Sequence, residues 1–334
     1  MAGPVLKEGI NLRVLLAFPV DATFVRTDLD LLRSFCDVTP LHFHGKASYS
    51  ELLRGVATAD VVVSWFALGF AGIANLMGKP LRTKSLVIAG GWDVVGMPEI
   101  AYGCLLSEWG VLRARLSLTT ADRVLAFSNW SRDRIHEVAP KSKVETAYLG
   151  IDIEEFRPGI KENVVVTVSN VNEENLLRKG LRTVVDAARN VPEAEFVVVG
   201  THADGAAREL LRSAPKNVSF PGWLPDHELR ELLGRARVYV QPSYTEGFGV
   251  AIAEAMASGC VPVVTEAGAI PEVVGDTGFY VQYGNPSNIA KGIRLALDSD
   301  LGGRARKRIE SRFTVSHRLD VLRRTVAEVI GRGS

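Results

Sequence analysis

The chain has 334 residues, 47% of them hydrophobic, which is enough for two packed cores and too apolar for a disordered chain. Lys and Arg number 39 against 38 Asp and Glu, a net charge of +1 with near-neutral halves on either side of Arg157, which does not match a nucleic-acid-binding surface. The three cysteines, Cys36, Cys104 and Cys260, are far apart and form no C-x-x-C, which excludes a disulfide framework or zinc ribbon and suits a reducing cytoplasm.

The first apolar run, Leu12 to Val20, is too short to span a membrane and lacks a small-residue cleavage site. Leu12 to Phe18, Val61 to Ser64, Ser85 to Ala89 and Arg123 to Phe127 read as buried strands. Helical patterns such as Thr23 to Phe35 and Ser48 to Ala57 lie between them. This is the βαβ rhythm of a doubly wound α/β domain. Asp28-Leu-Asp30 falls in a helical pattern, where i and i+2 do not face each other, so it is no metal-binding pair. His42 and His44 share one face of a strand without a third ligand. The stretch Trp65 to Gly78 is interrupted by Gly69, Gly72 and Asn75, and falls short of the ~20 residues of a spanning helix. It reads as a buried helix or as a membrane-touching surface.

Ala89-Gly90-Gly91-Trp92-Asp93 closes a strand. Gly90 and Gly91 permit close backbone approach, and Asp93 is either a carboxylate beside a reacting sugar or a turn acid fixing its own loop. Gly150 to Gly159, bounded by Gly and Pro, reads as a linker. A second series of strands follows: Val164 to Val168, Phe196 to Val199, Val218 to Phe220, Val238 to Gln241 and Val261 to Val264. The basic cluster Arg304, Arg306, Lys307 and Arg308 reads as a solvated helix face, and Val315 to Ile330 as one amphipathic helix. The expected organisation is a Rossmann-like domain over 1–157, a second over 158–312, and a C-terminal helix over 313–334 packing back towards the first. Ligands of open α/β sheets bind at the carboxyl ends of the strands, so a cleft between the two domains is the expected site.

The segment Gln241 to Gly259 carries the most chemistry. A strand leads through a loop into a helix from about Gly249 to Ser258, with Gly259 as its stop. The backbone N–H groups of Phe248, Gly249 and Val250 sit at the positive end of that helix, a site suited to a diphosphate. Glu254 is the one charge in an otherwise apolar helix. It is either a structural carboxylate or an acceptor for ribose hydroxyls, and the loop-helix setting favours the second. Glu246, just before the helix, is either a favourably placed charge or a ligand for a sugar hydroxyl. A dinucleotide fingerprint is excluded, because Ile252 stands where its third small residue belongs.

Pro242-Ser243, Glu246-Gly247-Phe248-Gly249, Glu254 to Gly259, Pro262-Val-Val, Ala267 to Gly275 and Gly278-Phe-Tyr-Val together resemble the C-terminal domain of retaining, family-four glycosyltransferases of the GT-B fold, the glycosyl transferases group 1. Lys179-Gly180 resembles the family's phosphate-binding lysine. Phe220-Pro-Gly222-Trp223-Leu224 resembles its strand-turn beside the nucleobase, and Gly150 to Pro158 its linker. The resemblance implies two Rossmann-like domains facing each other across a cleft, with the acceptor held by the first. Glu246 would bind the donor sugar's hydroxyls and Glu254 the ribose. Gly247, Phe248 and Gly249 would offer backbone N–H groups. Lys179 would neutralise the leaving diphosphate with Arg178 beside it. The chain departs from the family at Ser169-Asn170, where an Arg is usual, and at Pro19 to Thr23, which lacks the usual glycines.

The implied activity is transfer of a hexosyl group, with retention, from a nucleotide-diphosphate sugar, UDP- or GDP-linked, to a lipid-linked or glycan hydroxyl. The catalytic set is Glu246, Lys179 and Asp93. The donor set is Glu254, Gly247, Phe248, Gly249, Arg178, Gly222, Trp223, Leu224, Gly90 and Gly91. No metal, cofactor or nucleic acid is implied. The expected location is the cytoplasm, with peripheral contact at the inner membrane face through Trp65 to Phe70 and Arg113, Arg115 and Arg123. The alternatives are a GT-B sugar-nucleotide epimerase, which needs no acceptor, and a non-catalytic sugar-nucleotide-binding subunit.

Overall fold

The computed structural model describes residues 12–202 and 204–331. The chain divides into two compact units. One contains residues 12–150 together with 315–331, the other residues 151–314.

The first unit is a parallel six-stranded sheet. Its strands are β1 (Arg13–Phe18), β2 (Asp37–His42), β3 (Val61–Trp65), β4 (Lys84–Ala89), β5 (Arg123–Ala126) and β6 (Val144–Thr146), in the order β2-β1-β3-β4-β5-β6. The central strands read as near-continuous apolar runs because helices cover both faces. Leu15, Ala17, Val62, Val87, Ala89, Val124 and Ala126 form the core beneath them.

The helix Val315–Val329 belongs to this unit. Its Arg318 is fully buried. The guanidinium donates from Nε to Asp28 Oδ1 at 2.9 Å, from Nη2 to Asp28 Oδ2 at 2.7 Å, and from Nη1 to the Ala147 carbonyl at 2.7 Å. Removing one partner of such a pair leaves a buried charge and costs about 3–5 kcal/mol. Asp28 is therefore committed to structure, in keeping with its helical setting.

The second unit repeats the plan with β7 (Glu162–Val168), β8 (Glu195–Val199), β9 (Val218–Gly222), β10 (Ala236–Gln241), β11 (Val261–Val264) and β12 (Phe279–Tyr280). The order is β12-β11-β10-β7-β8-β9, again all parallel. The chain thus winds outward from β7 on one side and from β10 on the other. Open α/β sheets take ligands where the winding reverses, here at the carboxyl ends of β7 and β10. The unit's two ends lie side by side, with the Ile151 N–H donating to the Phe313 carbonyl at 2.7 Å.

In the basic cluster on the helix Gly302–Arg312, Arg304 and Lys307 are exposed as the sequence suggested, but Arg306 and Arg308 are not a solvated face, which corrects that part of the sequence reading. Arg306 donates to the Phe156 carbonyl at 2.8 Å and the Ala257 carbonyl at 2.6 Å. Arg308 donates to the carbonyls of Val273 at 2.7 Å and Glu272 at 2.8 Å. The Ala257 carbonyl closes the helix Val250–Ala257, and Arg306 supplies it with a donor.

Candidate active site

Three loops meet at the reversal point of the second unit. The first follows β7 and runs through the short helix Glu173–Arg178 to Lys179 and Gly180. The second follows β10 as Pro242 to Gly249, and the third follows β11 as Thr265 to Ala269. Backbone contacts hold them in register. The Tyr244 N–H donates to the Arg178 carbonyl at 2.8 Å, and the Ala269 N–H to the Glu246 carbonyl at 2.8 Å. The Thr265 hydroxyl donates to the Ser243 carbonyl.

Two glycines make the approach possible. Gly180 has φ +69°, and a Cβ there would lie 2.6 Å from the Pro242 carbonyl oxygen. Gly268 has φ +60°, and its Cβ would lie 2.3 Å from the Glu246 carbonyl oxygen. Neither conformation nor clearance suits any other residue.

The loops deliver Lys179 onto Glu246. The ammonium bonds to Glu246 Oε1, which also accepts from Gln241 Nε2 at 2.8 Å and the Ser243 hydroxyl at 3.1 Å. Arg178 Nη1 lies 3.8 Å from the same oxygen. All these contacts fall on Oε1, so Oε2 has no partner among the described residues and remains an acceptor for a ligand hydroxyl. Burial pushes the Glu246 carboxyl up, but the Lys179 ammonium and the Arg178 guanidinium outweigh it and hold the group below its ordinary value. Burial pulls the Lys179 ammonium down, against the opposing pull of Glu246.

Gln241 and Ser243 are site residues that the sequence reading did not single out as functional. Gln241 is fully buried at the end of an apolar strand, and its Oε1 accepts from the Tyr239 hydroxyl at 2.7 Å. A polar residue closing the run Val-Tyr-Val was the available signal, since a buried amide needs partners.

The helix Val250–Ala257 starts at Gly249, so no side chain caps its first-turn N–H groups. Phe248 is buried, its ring meeting Phe313 edge-on at 5.7 Å, so its side chain anchors the loop and only its backbone can serve a ligand. Glu254 is half-buried among Ile252, Ala253, Ala255 and Met256, and its carboxylate has no hydrogen-bond partner among the described residues. Burial, with the charge of Asp226 adding and Arg230 opposing, pushes this carboxyl up to about 8. Asp226 and Arg230 lie on the helix Asp226–Arg235, which directly follows Gly222, Trp223 and Leu224. Trp223 is 66% exposed there.

Arg178 ends the short helix Glu173–Arg178 in the loop after β7. Asn172 caps the short helix, Arg178 Nη2 donates to Asn175 Oδ1 at 2.7 Å, and Asn175 Nδ2 donates to the Asn170 carbonyl at 3.0 Å. The amides hold the guanidinium beside Lys179.

Gly90, Gly91 and Asp93 lie in the first unit, after β4. Asp93 is fully buried. Its Oδ2 accepts from the Ala67 N–H at 2.8 Å, and its Oδ1 from the N–H groups of Gly90 at 3.2 Å and Gly91 at 3.0 Å. The expectation of a catalytic carboxylate is corrected: both oxygens are committed to the backbone, and Asp93 is the turn acid of its loop. Asp93→Asn is expected to cost about 1–3 kcal/mol in urea unfolding, with kcat within a few-fold of the parent. A hundredfold kcat loss at unchanged stability would restore the catalytic assignment.

Residues 162–299 match the family described as glycosyl transferases group 1. The chain is 29% identical over 278 residues to alpha-maltose-1-phosphate synthase of Mycolicibacterium smegmatis, covering 74% of this chain and 70% of that protein. It is 23% identical over 251 residues to GDP-mannose:cellobiosyl-diphosphopolyprenol alpha-mannosyltransferase of Xanthomonas oryzae, covering 71% and 64%. Among solved structures, Anabaena HepE in complex with UDP superposes with a TM-score of 0.80 at 16% identity, over 95% of this chain and 100% of that one. Sucrose-phosphate synthase of Thermosynechococcus elongatus gives 0.77 at 17% identity, over 96% and 100%.

Proposed function

We propose that this enzyme, a group 1 glycosyltransferase of the GT-B fold, moves a hexosyl group from a nucleoside-diphosphate sugar to a hydroxyl acceptor with retention of anomeric configuration. The observation that carries the reading is the buried Lys179–Glu246 pair at the reversal point of the second sheet, with Glu246 Oε2 left for a sugar hydroxyl. Breaking the anomeric bond puts charge on the departing diphosphate. Lys179, Arg178 and the uncapped start of the helix Val250–Ala257 meet that charge without reorganising, and that is where electrostatic catalysis gains most. Glu254 takes the ribose hydroxyls, and Trp223 with Gly222 and Leu224 flanks the base. In a retaining transfer the departing phosphate oxygen accepts the acceptor's proton, so no protein base is required.

The acceptor is a lipid-linked or glycan hydroxyl. The name of the Xanthomonas relative, which includes a diphosphopolyprenol acceptor, supports the first form. The reaction needs no cofactor, because the positive groups already meet the phosphate charge. Activity is accordingly expected to survive excess EDTA. Complete loss on chelation, restored by Mg²⁺ or Mn²⁺, would overturn the metal-free reading.

The test is incubation with a panel of UDP- and GDP-sugars and lipid-linked or glycan acceptors, with the product's anomeric configuration read by NMR. A product of retained configuration is expected. Donor conversion without an acceptor would mark an epimerase, and nucleotide binding without turnover on any acceptor a non-catalytic subunit.

A further inference from the structure

We propose that the second unit carries a second ligand site, a small cavity at the amino ends of its strands that takes the phosphate group of a small molecule. The inference goes beyond the transferase reading, because the cavity is remote from Lys179 and Glu246. The apolar stretch Trp65 to Phe70 offers no comparable surface in the first unit. Trp65 is fully buried and Phe70 is 3% exposed, which corrects the membrane contact expected there.

Lys161 immediately precedes β7, Arg237 is the second residue of β10, and Val261 is the first of β11. They line one cavity of about 240 Å³ together with Gly259, Gly302 and Gly303. The strands are parallel, so the cavity lies at the opposite edge of the sheet from the donor loops, about 20 Å away along β10. It is smaller than the ~300–1,000 Å³ of pockets for drug-sized ligands, so it suits a small anion rather than a nucleotide.

Two positive charges share this cavity without a counter-charge. Burial pulls the Lys161 ammonium down, and the neighbouring Arg237 guanidinium adds to the effect. Neither pairs with a carboxylate among the described residues, and Asp300, the one acid on the lining, is exposed and bonds to neither. Lys161 Nζ donates to the carbonyls of Leu233 at 3.2 Å, Ala236 at 2.8 Å and Ser258 at 2.6 Å, so its donors are spent and it contributes charge alone. Arg237 is the reverse case. Its side chain makes no hydrogen bond among the described residues, and its Nε is buried without a partner. A buried, unpartnered donor beside a second cation is costly unless a ligand satisfies it. The β7–β10 register also shifts between Ala236 and Val238, and irregularities of this kind re-aim a side chain.

The backbone supplies further donors. The helix Gly302–Arg312 begins at the cavity, and no side chain caps it. Packing requires Gly302, since a Cβ there would lie 2.3 Å from the Gly259 carbonyl oxygen. Packing does not require Gly303, whose Cβ would meet no atom within 4 Å. A first-turn glycine that no protein atom demands leaves clearance for a ligand against the free N–H groups. A guanidinium, a helix start and a second positive charge match a phosphate dianion, which brings three acceptor oxygens and two charges, better than a carboxylate.

The test is thermal unfolding of the full chain across a series of inorganic phosphate or glycerol 3-phosphate concentrations, against sodium chloride at equal ionic strength. A ligand that binds only the folded state raises Tm with its concentration, and the rise gives an apparent Kd. Phosphate is expected to raise Tm of the wild type and, through this site, of Lys179→Ala. Arg237→Gln and Gly303→Glu are each expected to weaken phosphate binding by about tenfold or more. The second of these places a carboxylate at a helix start, where it favours the fold while repelling the anion. UDP or GDP should still raise Tm of both variants. A stronger response to glycerol 3-phosphate than to phosphate assigns an esterified ligand, and an equal response the free ion. No rise beyond that with chloride, a rise that Lys179→Ala abolishes, or one that Arg237→Gln and Gly303→Glu both retain would overturn the second site.

Discussion

Lys179→Ala is expected to lower kcat by roughly 100- to 1,000-fold, the range typical of removing one preorganised group from a developing charge, with a smaller change in donor KM. The lysine is held at the meeting of two loops, opposite Glu246 and beside Arg178. Negative charge on the diphosphate grows as the sugar departs, so the ammonium helps the transition state more than the ground state. Its removal also leaves the Glu246 carboxylate with Gln241, Ser243 and a more distant Arg178 as its polar partners among the described residues. Lys179→Arg should recover part of the rate, since charge is kept while the bond to Glu246 is altered. Steady-state kinetics decide the matter. A pure KM effect would make Lys179 an anchor for the donor and nothing more.

The second large effect concerns Glu254 and pH. Hydrogen bonds to a charged acceptor are worth about 1.5–3 kcal/mol, so Glu254→Ala should weaken nucleoside-diphosphate binding tenfold or more. The free carboxyl, pushed up to about 8, is mostly protonated near neutrality. Ribose hydroxyls donate and so favour the ionised form, which means that binding expels a proton below pH 8. Affinity should therefore climb between pH 6 and pH 8.5, and Glu254→Gln should abolish that climb.

The same shift affects the ligand-free fold. A carboxyl raised from 4.5 to about 8 gives its full contribution to stability below the lower value and loses it as pH rises through the upper one. Glu254→Gln should thus raise Tm at pH 8.5 and leave it little changed at pH 4.5. Equal pH profiles for the two proteins would contradict the raised Glu254 carboxyl, and with it the expected climb of affinity with pH.

The interior of both sheets was legible in the sequence, and so was the edge strand β9, read as Val218 to Phe220, but the other edges were not. Val61 to Ser64, Val164 to Val168 and Val261 to Val264 are buried on both faces, so their runs are nearly all apolar, with Ser64 and Thr167 the polar members of the first two. The edge strands β6 and β12 are two or three residues long and half-exposed, so no run marks them. β2 is exposed at Asp37, Thr39 and Pro40 and buries Leu41, and its proline suits an edge strand.

At the site, Glu254 stood out as the one charge in an apolar helix and Glu246 as an acid before a Gly-rich turn, whereas Lys179 followed only from the family resemblance, since beside Arg178 it reads as an ordinary surface charge. Asp93 stood out on the same grounds as Glu246 and proved structural, because a carboxylate is equally suited to sugar hydroxyls and to three backbone N–H groups. The roles of Arg306 and Arg308 depend on carbonyls far away in sequence, so they could not be read from a local charge run.

Calorimetric titration of the wild type with UDP, GDP and ADP at pH 8 tests most directly whether the second unit is a nucleoside-diphosphate site. UDP or GDP should bind with one nucleotide per chain, and Lys179→Ala and Glu254→Ala should each weaken that binding, Glu254→Ala by about tenfold or more. Absence of binding by all three nucleotides, or binding that both substitutions leave unchanged, would contradict the account.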